Sequence, residues 1–139
     1  MATTAAKLLV LAGASIFGVL GALHLAYPFF TDKFLPRDVA VMEAMKGTSP
    51  VLTRQTTMWD AWVGFNGSHS LGALMFSAAC FIVAACLRRF AFSPWVLLVL
   101  AGISALYLLL AAQYWFRIPI LGTAAATACL GAAWLLYLL

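Results

Sequence analysis

From the amino terminus onward, the chain alternates long apolar stretches with short polar breaks. Apolar runs cover residues 8–30, 58–87, 93–115 and 118–139. Each reaches the ~20 residues that a membrane-crossing helix needs. The run over 58–87 is long enough to tilt, or to carry a turn into the headgroups. The sizeable polar connection is 31–57. Inside it Val39, Met42 and Met45 recur at three-residue spacing among Arg37, Asp38, Glu43 and Lys46. That spacing predicts a short amphipathic helix, opened by Pro36 at its first position and stopped by Gly47. It would lie on the membrane surface or cap the bundle. The fold this pattern predicts is all-α. It is an integral-membrane four-helix bundle, one domain over 1–139, with a surface helix between the first two spans.

Local signals set the ends of these elements. Pro28 falls where the first span should stop. Thr57-Met58-Trp59-Asp60 reads as a capping box, with Thr57 as cap and Asp60 reaching back. Ser93-Pro94 supplies a cap and a first-position proline for the third span. Arg117-Ile118-Pro119 reads as a tight turn into the fourth. Short connections make spans two, three and four antiparallel neighbours. Small residues recur every fourth position as Ala14, Gly18 and Ala22 in span one, and as Gly64, Ser68 and Gly72 in span two. Such stripes let helix backbones approach closely. The two stripes would pack together, or one would face another subunit.

Composition agrees with this pattern. The chain is 65% hydrophobic and 9% charged, against about 25% charged in soluble domains. Lipid is therefore the expected solvent. The net charge of +4 comes from scattered residues with no basic stripe, so nucleic acid is not an expected partner. Lys7, Arg88 and Arg89 fall on one side of the predicted membrane. Lys33, Arg37, Lys46, Arg54 and Arg117 fall on the other with all four acids. The count alone makes the 31–57 connection cytoplasmic. The tight Arg88-Arg89 pair, facing no acids, tips the balance slightly to both termini inside. The first apolar run exceeds the 7–15 residues of a signal-peptide core, so no cleavage is expected there. Cys80, Cys86 and Cys129 lie within predicted spans without a CxxC, and read as packing residues. No metal site is expected.

Candidate chemistry gathers at one end of the bundle. His24 lies about one helical turn before Pro28, and His69 two to three turns into the second span. Asn66, Gln113 and Tyr114 fall on the same side. Trp59, Trp62, Asn66, His69 and Ala73 follow 3,4,3,4 spacing and share a helix face. A face carrying Asn and His must turn inward, because lipid satisfies neither. Several readings follow. One is a hydrogen-bonded network that fixes helix register and binds nothing. A second is a lipid, sterol or quinone pocket lined by Trp59, Trp62 and Phe65, with His and Asn as polar anchors. An enzyme version would move protons with His69 and Asp60 or Glu43, as in a double-bond isomerase. Haem b between two imidazoles ranks lower, and a copper or zinc site lower still. Catalytic residues are not assigned, because no nucleophile motif, phosphate loop or dinucleotide fingerprint is present.

The strings HLAYPFFTDKF, PRDVAVMEAM and LTRQTTMWDAWVGFNGSHSLG, over about residues 18–75, resemble a family of small bacterial four-span membrane proteins of unassigned function. The TTMWxAWxGFNxSHS string is its most specific part. The resemblance implies four spans in a bacterial inner membrane and carries over no catalytic residues. The plan is also loosely similar to the sterol-isomerase-like membrane fold, in architecture alone. The function expected is a small accessory or structural subunit, partnered by lipid and by other membrane subunits or itself. A lipophile-binding protein is the alternative.

Overall fold

The structure, a computed structural model, describes residues 2–87 and 94–138. Among these the chain is all-helical, in the order α1 (Ala2–Phe30), α2 (Val39–Gly47), α3 (Met58–Cys86), α4 (Pro94–Tyr114) and α5 (Arg117–Tyr137). Four of the five are long and apolar enough to cross a membrane, and α2 is the short one between the first two. The protein is a helical bundle of the multi-pass membrane class. In the most apolar window of each long helix, only 22–33% is buried inside the protein. The outward remainder is apolar and belongs in hydrocarbon or against other apolar surface. Arg88-Arg89 and the Ser93 cap lie outside the described residues.

The helices end where local chemistry stops them, with three differences from the sequence pattern. Pro28 sits inside α1, not at its end. In the last turn it removes a single N–H, and the helix runs on to Phe30. Thr31 then closes it, its backbone N–H and its Oγ1 both donating to the Tyr27 carbonyl at 3.2 and 2.9 Å. Helix α2 starts after Asp38, not at Pro36. The Asp38 side chain accepts from the Ala40 amide at 2.9 Å, a bond that proline cannot supply. Gly47 is the last residue of α2, and Thr48 beyond it is extended. No described glycine takes a positive φ. The turn before α5 falls at Trp115 and Phe116, while Arg117-Ile118-Pro119 already forms its first turn. Amides in a first turn have no helical partner, so a proline there loses nothing.

The chain gathers into two compact units. One takes the chain up to Leu20 and from Ala73 onward; the other is Gly21–Gly72. In the first unit, Ala6, Val10, Ala14 and Phe17 form the buried face of α1. They recur at helical spacing, so one stripe meets the core. Phe17 stands edge-on to Phe76 of α3 at 4.7 Å and to Tyr107 of α4 at 5.3 Å between ring centroids. Backbones approach where side chains are small. The Ser77 hydroxyl donates to the Ala14 carbonyl, and a Cβ at Gly18 would stand 3.0 Å from Ser77 Oγ. A Cβ at Gly13 would meet Leu130 Cγ of α5 at 3.1 Å. Helices α4 and α5 are joined across by Ser104 and Thr127, whose hydroxyls lie 2.8 Å apart. Both residues sit about three turns from the connecting residues, as an antiparallel pair requires.

Candidate functional site

The second unit, Gly21–Gly72, contains both histidines of the chain. It is built from the C-terminal end of α1, the 31–57 connection with α2, and the N-terminal end of α3. The start of α3 is fixed by its cap. Thr57 Oγ1 accepts from the Asp60 amide at 3.0 Å and donates to the Asp60 carboxylate at 2.7 Å. A usual capping box has the acidic side chain turn back to the cap's backbone N–H. Here it takes the cap's hydroxyl proton instead. The Met58 amide donates to the Thr48 carbonyl at 2.8 Å, tying the end of the connection to the start of α3.

Two turns further on, Asn66 is the polar centre of the unit and is 5% exposed. Its Nδ2 donates to the Trp62 carbonyl at 2.8 Å. Its Oδ1 therefore faces α1 and accepts from His24 Nε2–H at 3.1 Å. The backbone carbonyl of Asn66 accepts from the buried Ser70 hydroxyl at 2.7 Å. Each of these bonds replaces one that water would otherwise make. The His24 proton is assigned to Nε2 by the Asn66 amide's own orientation. A nitrogen that donates this way does not offer a lone pair to a metal.

The second histidine meets the first directly. The rings of His24 and His69 are edge to face with centroids 5.2 Å apart. Phe65 stacks on His69 from within α3 at 6.2 Å. Phe34 closes the other side, 4.8 Å from His24, 5.8 Å from Tyr27 and 6.2 Å from Trp62. Among the described residues, no three His, Cys, Asp or Glu side chains gather where they could hold a metal ion.

Cations edge the aromatic cluster. Lys33 Nζ lies 4.8 Å from the Tyr27 ring centroid, and Lys46 Nζ lies 5.8 Å from that of Trp59. Trp59 itself stacks on Trp62 at 5.4 Å. Lys46 also pairs with Glu43 at 3.0 Å. On α2, Met42 and Met45 are half-buried, while Val39, of the same predicted stripe, is exposed.

The remaining sequence candidates are placed as follows. His24, Trp59, Trp62, Asn66 and His69 come together in this unit. Gln113 and Tyr114 belong to the first unit, at the C-terminal end of α4, and both are exposed. Ala14 and Gly18 approach Ser77, whereas Ala22 is exposed. The Gly64 and Ser68 positions are exposed, and nothing stands within 4 Å of a Cβ at Gly64. The close approach in this part of α3 is at Gly67, where Phe29 Cζ would lie 3.3 Å from an added Cβ. Phe34 escaped the sequence reading. It sits in a non-helical stretch, where no periodicity marks a residue as inward. Comparison with protein-family models, curated proteins and solved structures found no match for the chain.

Proposed function

We propose that this protein is a small accessory or structural subunit that works by lateral association of its helices in the membrane. The observation that carries this reading is the hydrogen-bond chain Trp62–Asn66–His24. Its polar groups bind one another, so the cluster acts as a fastener between α1 and α3. The exposed Gly64 and Ser68 on α3 add a face on which another helix can approach closely. The partners on this reading are a second copy or other membrane subunits, and the resemblance to small bacterial four-span proteins supports a bacterial inner membrane as the setting. Native mass measurement after gentle detergent extraction tests it. A retained partner or a multiple of the chain mass is expected; a lone monomer in several mild detergents would overturn it.

A second reading has its own observation. His24 and His69 are only half-buried and stand among Phe34, Trp62 and Phe65. Aromatic walls with a few polar groups suit a lipid, sterol or quinone. This reading expects a co-purifying lipophile that is lost in His69→Ala while the fold is kept. Organic extraction and mass spectrometry of the purified protein would decide it.

A further inference from the structure

The connection between α2 and α3 carries two aliphatic side chains in an unusual place. Val51 and Leu52 are 108% and 93% exposed relative to a free residue. They are the two central residues of a turn closed by the Thr53 amide donating to the Pro50 carbonyl at 3.2 Å. Central turn positions facing water usually hold Gly, Asn, Asp or Ser. The turn is shaped rather than slack, since Thr53 Oγ1 accepts from the Gln55 amide at 3.1 Å. Its base is fixed as well, by the bond from the Met58 amide to the Thr48 carbonyl.

That base lies at the start of α3, one of the four membrane-length helices. Trp59 and Trp62 follow at once, and such residues favour the level of the headgroups. The polar zone on each side of a bilayer is roughly 5–8 Å thick. Val51 and Leu52 stand three and four residues from Thr48, so the chain can carry them at most about 10–14 Å from that anchor. The turn is therefore long enough to touch the bilayer that α3 enters. Two residues past Leu52, Arg54 is exposed, and among the described residues no carboxylate lies within ion-pair distance of it. Arginine matches the fork geometry of a phosphate.

We infer that the Pro50–Thr53 turn is a lipid-contacting wedge, with Val51 and Leu52 at the boundary between headgroups and acyl chains and Arg54 on a lipid phosphate. The occupant of this surface is the bilayer itself. Two exposed aliphatics at a fixed turn beside a membrane helix are explained by it, and so is the unpaired cation next to them.

The test uses the full chain with Cys80, Cys86 and Cys129 replaced by serine or alanine, and Leu52→Cys carrying an environment-sensitive fluorophore. The protein is reconstituted in vesicles of phosphatidylcholine with phosphatidylglycerol. Helix content by circular dichroism checks the fold, and the same label at Val51→Cys gives an independent reading. Blue-shifted emission, quenched by shallow spin-labelled lipids and shielded from aqueous iodide, is expected at both positions. Emission quenched by iodide alone would overturn the inference, because the turn would then stand in water. Shielding from both quenchers would also overturn it, because the turn would then be covered by protein.

Discussion

Asn66 shows what a single polar side chain does in an apolar protein. Its amide joins α3 to α1 through His24 and is held in place by the Trp62 carbonyl of its own helix. Hydrogen bonds between membrane helices are each worth about 0.6–2 kcal/mol, a modest figure because the separated helices in lipid also find partners. Replacing Asn66 with Leu removes one such bond, to His24, and with it the bond to the Trp62 carbonyl within α3. The substitution is expected to lower stability by roughly 1–3 kcal/mol, read as a reduced unfolding midpoint in detergent. Ser104→Ala breaks one hydroxyl pair in the other unit and should cost about half as much. Equal loss from both substitutions would contradict the role given to Asn66. That role was legible in the sequence, because Asn and His on a greasy helix face have to turn inward. Their direct contact was not legible, since it depends on how α1 and α3 meet.

Among the elements, α3 divides by face. Gly18 on α1 opposes Ser77 of α3 with no room for a larger side chain, while Gly64 on α3 faces open space. Gly18→Ile is therefore expected to overpack the core and cost about 1–3 kcal/mol. Gly64→Ile should leave the monomer as stable or slightly more so, because glycine is a poor helix former. If lateral association uses that face, Gly64→Ile will also shift the native mass towards the single chain. Unchanged association would remove this face from the proposed function. The small-residue spacing marked both stripes alike. Nothing in the spacing says which one is covered, because close approach is a property of a pair of helices.

At the scale of the whole molecule, an even number of crossings by the four membrane-length helices predicts that Thr4 and Leu138 lie on the same side of the bilayer. Single cysteines at Thr4 and at Leu138, in an otherwise cysteine-free chain, should react with a membrane-impermeant maleimide from the same side. Labelling from opposite sides would mean that one helix does not cross. The absolute orientation is a separate matter. The sequence puts three basic residues on one predicted side and five on the other, and the charge rule acts on small local differences.

The sequence by itself determined the all-helical class, the four membrane-length helices, the short α2 and the cap at Thr57. These follow from apolar run length and from bonds between residues a few positions apart. It also picked out His24, Asn66 and His69, because polarity inside an apolar run is visible without coordinates. Only the tertiary structure decided that the two imidazoles touch edge to face, that Phe34 closes over them, and that Gly64 stays open while Gly18 is covered. It alone exposed Val51 and Leu52 at the corner of a fixed turn. These outcomes depend on contacts between segments distant in the chain, or on loop geometry without periodicity, and the pattern of side chains along the sequence does not encode either.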